Sequence, residues 1–275
     1  MNTTWLVTGS SSGIGKALVE QLLERGDRVA ATLRKPEALD ELKARYPGQL
    51  WLAQLDVTDT PAIRRVIEQA FTELGRIDVV VSCAGYALFG AAEEVSDEQI
   101  DQQLHTNLVG SIQVIRACLP FLREQGGGRV LQVSSEGGQL AYPNFSLYHT
   151  SKWAIEGFVE SVAQEVAPFD IEFTLVEPGP THTNFGAALV SPPPMAAYEH
   201  TPAGDVRRAV ASGEFAMTGD PVKMAKAMLD VAAASPAPKR LLLGSGAYER
   251  VHAALTERLA ALERQQAVAL STEMD

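Results

Sequence analysis

Short runs that are apolar at nearly every position alternate along this chain with longer runs in which apolar residues recur every three or four positions. The short runs cover residues 5–7, 28–32, 50–54, 79–82, 129–133, 171–176 and 241–243. They read as strands buried on both faces, because a half-exposed strand would alternate polar and apolar side chains. The longer runs, 14–24, 36–45, 61–74, 97–122, 148–167 and 221–234, read as helices with an apolar stripe. Their boundaries carry matching chemistry. Ser96 followed by Gln99 is a capping-box pattern, Asp220-Pro221 is a cap followed by proline at the first helical position, and Gly26 and Gly75 stand where helices stop.

Strands alternating with helices predict an α/β domain. Parallel neighbours need crossovers, so a parallel sheet of about seven strands with helices on both faces is expected. Ligands of such doubly wound sheets bind beyond the carboxyl ends of the strands, at the switch point. There the first strand runs into Thr8-Gly9-Ser10-Ser11-Ser12-Gly13-Ile14-Gly15, a glycine-rich turn opening a helix. Gly9 suits the tight turn, Gly13 a close backbone approach to ligand, and Gly15 close helix–strand packing. The free N–H groups of the helix would hold a pyrophosphate. The second strand ends in Thr32-Leu33-Arg34-Lys35, with no carboxylate to accept from a ribose; Arg34, with Lys35 beside it, offers charge to a phosphate or is a solvated loop cation. Asp56, after the third strand, either accepts from an adenine amino group or serves as a turn aspartate.

Ser135 lies just past the fifth strand, and Tyr148 and Lys152 stand four apart at the start of the next helix. That spacing puts a phenol and an ammonium on one face, one turn apart. Taken singly, a tyrosine at a helix start is usually packing, a lysine a solvated cation, a serine a turn hydroxyl. Their conjunction at strand ends carries the chemistry.

With these residues in view, the chain resembles the short-chain dehydrogenase/reductase family, whose fold is a Rossmann-type sheet. Thr8-Gly9 through Gly13-Ile14-Gly15 is similar to its cofactor turn, Asn107, Ser135 and Tyr148-x-x-x-Lys152 to its catalytic tetrad, and Pro178-Gly179 with Thr183 to its nicotinamide-side motif. The resemblance runs from about residue 4 to 185. It implies cofactor contacts from Gly9, Ser11, Ser12, Gly13, Ile14 and Gly15, from Arg34, Asp56 and Val57, from Ala84 and Gly85, from Tyr148 and Lys152, and from Pro178, Gly179 and Thr183. It implies Tyr148 as general acid/base, Lys152 with the positive nicotinamide of an oxidised cofactor favouring the phenolate, Lys152 also holding the nicotinamide ribose, Ser135 on the substrate oxygen, and Asn107 on a water that relays protons from Lys152. The family usually has Asn-Asn-Ala-Gly where this chain has Ser82-Cys83-Ala84-Gly85. Cys83 cannot donate and accept like an amide, so a looser tie between neighbouring strands is expected.

Composition narrows the reading. The 275 residues are 46% hydrophobic and 21% charged, which suits one globular domain. A formal net charge of −11 opposes nucleic-acid or anionic-membrane binding. The first residues lack a basic segment and an apolar run, and no stretch is long enough to span a bilayer, so a cytoplasmic protein is expected. Cys83 and Cys118 fit no metal or disulfide spacing and read as buried thiols; His105, His149, His182, His200 and His252 fit no metal site, although His182, beside the Pro178-Gly179 motif, is placed to approach substrate.

Between about 180 and 220 the periodic pattern fails. Phe185, Leu189, Met195, Tyr198 and Phe215 suggest a lid over an apolar substrate; a mobile connector is the alternative. A helix over 248–270 would cover the domain or a neighbouring subunit. Apolar residues over more than one face of 97–122 and 148–167, with pairing of these helices in related enzymes, imply a homodimer or homotetramer. The expected activity is an oxidoreductase preferring NADP(H), with NAD(H) as the lesser option, acting on a small carbonyl or alcohol; the resemblance extends to members acting on steroid-like hydroxyls or ketones. The rival reading is a nucleotide-sensing protein of the same fold without turnover, against which the intact tetrad argues.

Overall fold

The computed structural model describes residues 3–183, 189–214 and 216–274. Seven parallel strands form one sheet in the order β3-β2-β1-β4-β5-β6-β7. They are β1 (Thr4–Thr8), β2 (Arg28–Leu33), β3 (Leu50–Gln54), β4 (Val79–Ser82), β5 (Gly128–Val133), β6 (Ile171–Pro178) and β7 (Arg240–Leu243). Successive residues of the central strands feed two cores. Leu6, Ala30, Val80 and Val130 face α3 (Thr60–Leu74), α5 (Gly110–Glu124) and α6 (Ser146–Val166). Their neighbours Val7, Ala31, Val81 and Leu131 face α1 (Gly13–Arg25) and α8 (Pro221–Ala232). This is why the strand runs lack polar alternation: both faces are covered. The order reverses between β1 and β4, and the switch point opens at their carboxyl ends.

The remaining helices are α2 (Asp40–Arg45), α4 (Asp97–Leu104), α7 (Pro202–Ser212), α9 (Ser245–Glu263) and α10 (Gln266–Leu270). The caps stand as the sequence predicts. Ser96 and Gln99 form a reciprocal capping box, and the Asp220 carboxylate accepts from the Val222 and Lys223 amides. Three elements depart from expectation. The helix expected over 97–122 is broken by a π turn, His105–Val109, which turns Asn107 into the interior. The span expected over 36–45 starts as a tighter turn, Pro36–Leu39. The segment read as patternless contains α7, capped by the Thr201 hydroxyl accepting from the Ala203 amide, with Pro202 at its first position.

Candidate active site

The glycine turn is built by close backbone approach. A Cβ on Gly9, which has φ +68°, would lie 2.7 Å from the Ala84 Cα, and one on Gly15 would lie 2.5 Å from the Gly9 carbonyl oxygen. The first turn of α1 holds no acidic residue, and the Ser12 side chain does not cap it. Its amides and positive end therefore face the cleft, as an anionic group requires. Opposite the turn, the β1 and β4 ends are tied by Thr8. Its hydroxyl accepts from the Cys83 and Ala84 amides at 3.0 and 3.3 Å. The expected looseness at Cys83 is offset, since the tie runs through the backbone of residue 83 and not its side chain. Cys118 is fully buried, whereas Cys83 is only partly so and lines the cleft, where burial pushes its thiol up to about 11.

One cleft of about 1140 Å³ gathers nearly all the expected site residues. Gly9, Ser11, Ser12, Gly13, Ile14, Gly15, Arg34, Asp56 and Val57 line one end; Ala84, Gly85, Ser135, Tyr148, Lys152, Pro178, Gly179 and Thr183 line the other. Arg34 is exposed at the cleft and close enough to Asp56 to lower its pKa. Lys35 is exposed but does not line the cleft. Asp56 serves in a turn, its Oδ1 accepting from the Thr58 amide and hydroxyl, and the residue borders the cleft.

Asn107 is not on the cleft wall. It is 1% exposed, its amide nitrogen donating to the Tyr86 carbonyl at 2.8 Å and the Ser151 hydroxyl at 3.3 Å, its oxygen accepting from the Tyr86 amide at 3.1 Å. It thus joins the loop after β4 to α6.

Ser135, Tyr148 and Lys152, the groups expected to react, cluster where β5 meets α6. The Ser135 hydroxyl accepts from the Gly137 amide at 3.1 Å and is hydrogen-bonded to the Tyr148 phenol. Lys152 Nζ donates to the Val133 carbonyl at 3.1 Å and lies 5.6 Å from the Tyr148 ring centre. Burial is the largest influence on both. It pushes the Tyr148 phenol up to about 12, with Ser135 opposing and Glu136 adding, and pulls the Lys152 ammonium down to about 8, with Cys83 and Glu156 opposing. Among the protein's own groups burial dominates, so the Tyr148 phenol is neutral near pH 7. Behind Lys152, Glu156 accepts from the Ser134 hydroxyl at 2.6 Å and pairs with Arg240, which also holds Glu160 and Glu177. This network fastens α6 to β6 and β7.

Several cleft residues escaped the sequence reading. Tyr142, Phe145 and His149 form an aromatic wall beside Tyr148. His149, read as ordinary, accepts at Nδ1 from the Tyr142 amide, and burial holds it down to about 4. His105 lines the opposite wall from the π turn, while His182 does not line the cleft. Glu136 follows Ser135 directly, and its one sequence signal was that position. Of the expected lid residues, Leu189 lines the cleft, with Val190, Val210 and Met217; Met195 and Tyr198 do not. Phe185 and Phe215 lie outside the described residues. No group of metal-binding side chains occurs among the described residues. Nor is any described helix long and apolar enough to cross a membrane.

A dinucleotide-type glycine turn facing a Ser–Tyr–Lys cluster defines the class: a nicotinamide-dependent oxidoreductase. The short chain dehydrogenase family model matches residues 3–193, and the chain belongs to that family, whose members act on CH–OH and C=O groups. The oxidoreductase BOA17 of Botryotinia fuckeliana is 36% identical over 250 residues, 90% of this chain and 91% of that protein. A short-chain dehydrogenase from Streptomyces avermitilis superposes with a TM-score of 0.91 at 37% identity, covering 99% of this chain and 98% of the other. A serine dehydrogenase complexed with NADP+ is 26% identical, with a TM-score of 0.76 over 88% of this chain and 94% of its own.

Proposed function

We propose that the protein is an NADP(H)-dependent oxidoreductase that interconverts the carbonyl and secondary alcohol of a small, largely apolar substrate, with Tyr148 as general acid/base. One observation carries this reading: a neutral phenol, hydrogen-bonded to Ser135, stands in a cleft whose substrate end is walled by Phe145, Leu189, Val190 and Met217. A bound nicotinamide dinucleotide supplies or accepts the hydride. Gly9 through Gly15 and the first amides of α1 would hold its pyrophosphate, Arg34 its 2′-phosphate, and Lys152 with Thr183 its nicotinamide side. Ser135 orients the substrate oxygen and Tyr148 gives it a proton during reduction, or takes one during oxidation. Asn107 acts by fixing the loop after β4 against α6.

The segment over 180–220 serves as a substrate lid, seated on the loop after β4. The test is NADPH oxidation followed at 340 nm with a panel of apolar ketones. Tyr148→Phe should lower turnover by at least ~10²-fold, the lower end of general acid/base contributions, with cofactor affinity changed only a few-fold. A variant keeping most of its turnover would remove Tyr148 from this role, and binding without turnover in the wild type would favour the nucleotide-sensing reading.

A further inference from the structure

Glu136 is 2% exposed and follows Ser135 in the turn after β5. Buried carboxylates need partners, and this one draws both of its own from outside the turn. The Tyr142 hydroxyl donates to Oε1 at 2.7 Å. Arg250, on the second turn of α9, donates through Nη2 to both carboxylate oxygens, at 3.0 and 2.9 Å, and through Nε to Oε2 at 3.2 Å. The same Nε donates to the Tyr142 hydroxyl at 3.0 Å, closing a three-membered ring of contacts. Arg250 lies 114 residues from Glu136 in sequence, so the ring joins the C-terminal helix to the turn that carries Ser135. Ser135 is in turn bonded to Tyr148.

We infer that Arg250, Glu136 and Tyr142 are positioning residues of the reaction centre: α9 clamps the turn bearing Ser135 and neutralises the carboxylate next to it, so that the phenol of Tyr148 can ionise when chemistry requires. The inference rests on the oxidoreductase reading for its kinetic consequence but not for its electrostatic one. The groups around the phenol come from several elements. Lys152 and His149 stand on its own helix, Glu136 and Tyr142 on the segment after β5, Arg250 on α9, and Cys83 and Tyr86 on the loop after β4. His149 is neutral above about pH 4 and Cys83 is neutral below about pH 11. The charges in play near neutrality are therefore Lys152, Glu136 and Arg250, with Glu98 and Asp101 on the far wall of the cleft. After burial, Glu136 is a further influence raising the phenol's pKa, and Arg250 is the cation paired with that carboxylate.

Two measurements test this on the full chain. The first needs no substrate: ¹³C NMR titration of the tyrosine ζ carbons, with the Tyr148 signal assigned by its loss in Tyr148→Phe. Glu136→Gln should lower the Tyr148 pKa by about one unit or more, within the range nearby charges produce. Arg250→Met should raise it, Arg250→Lys should stay near the wild type, and Glu136→Gln/Arg250→Met should return to the low side. The second is the pH dependence of alcohol oxidation with NADP+. At pH 8, Arg250→Met should lose about tenfold in kcat, one unit's worth of phenolate, with little change in cofactor KM. A Tyr148 titration no lower in Glu136→Gln than in wild type overturns the inference. So does an Arg250→Met defect that Glu136→Gln fails to relieve, since that marks a purely structural contact. If the wild type turns over no alcohol or ketone, the oxidoreductase reading fails, while the titration still decides the clamp.

Discussion

At the scale of the residue, burial decides more than charge. Tyr148 and Lys152 were legible as neighbours on one helix face, because spacing alone sets that. Their acidities were not legible, because desolvation depends on what covers them: Phe145 and His149 are sequence neighbours, but the turn after β5 that carries Ser135 and Glu136 is brought to Tyr148 only by the fold. His149 shows the same effect in a form that stability reports. Its pKa falls from 6.5 to about 4 on folding, so the neutral form is the one the fold accepts. Stability from this group is complete above pH 6.5 and lost as pH falls toward 4, by at most about 3 kcal/mol. His149→Gln should flatten that part of the stability profile in urea unfolding between pH 4.5 and 7.5; an unchanged slope would show the acid sensitivity to come from elsewhere. Cofactor choice is also a residue-scale matter. Leu33 is buried at the end of β2 and Arg34 is exposed at the cleft, so the loop offers a cation and no carboxylate. Charge-assisted hydrogen bonds to a 2′-phosphate are worth roughly 1.5–3 kcal/mol each, or about ten- to a hundred-fold in preference. The ratio of kcat/KM for NADPH and NADH should favour NADPH and reverse in Leu33→Asp/Arg34→Ala; a wild-type preference for NADH would overturn the assignment.

At the scale of the element, local signals carried the strands and most helix ends, because caps and apolar runs act within a few residues. Asp220-Pro221 marked α8 correctly, and Thr201-Pro202 is the same kind of signal one helix earlier. It was hidden by the weak apolar stripe behind it: only Ala203 and Gly204 of α7 are buried. The π turn at His105–Val109 had no local signal, since what it accomplishes is to aim Asn107 at Tyr86 and Ser151. The segment proposed as a lid is tied to the domain by polar contacts: Asn144 donates to the Ala203 carbonyl at 2.6 Å, the Tyr198 hydroxyl donates to Glu93 at 2.6 Å, and the Val190 backbone pairs with Ala87 and Phe89. Glu94, fully buried, accepts from the Met195 amide at 2.8 Å and from Arg207 through both oxygens. A segment seated mainly through polar contacts, with little buried apolar surface, opens more readily than the sheet. Amides over 189–214 should exchange faster than those of β1 and β4, and cofactor with substrate should slow them. Glu94→Ala should speed exchange in α7 by about tenfold or more, the loss of a charged hydrogen bond, and raise substrate KM while leaving cofactor affinity in place. Protection in α7 equal to that of the central strands would remove the lid.

At the scale of the whole molecule, the parallel sheet and its switch point followed from the alternation of runs, and the cleft formed where that topology puts it. What the alternation did not show is the return of the chain to its own active site through α9, which depends on a pairing over 114 residues. Assembly belongs to this scale too. Trp153 on α6 is 43% exposed, with the Arg258 guanidinium 4.6 Å from its ring centre, while Ile100, Leu104, Leu108 and Ile112 are only partly buried. An apolar surface of this kind is expected to be covered by a second copy. Sedimentation at micromolar concentration should give a homodimer or homotetramer, and a monomer there would count against it. The strand order has one more consequence, for a chain emerging from the ribosome. β2 pairs with both β1 and β3, so the strands that carry the glycine turn and the Arg34 loop meet early in chain order, while the turn itself closes on Ala84 after β4. β7 pairs with β6 alone, and α9 follows it, so the turn bearing Ser135 receives Arg250 only after all seven strands have been made. The clamp proposed for the Ser135 turn therefore cannot assemble before α9 docks on a finished sheet.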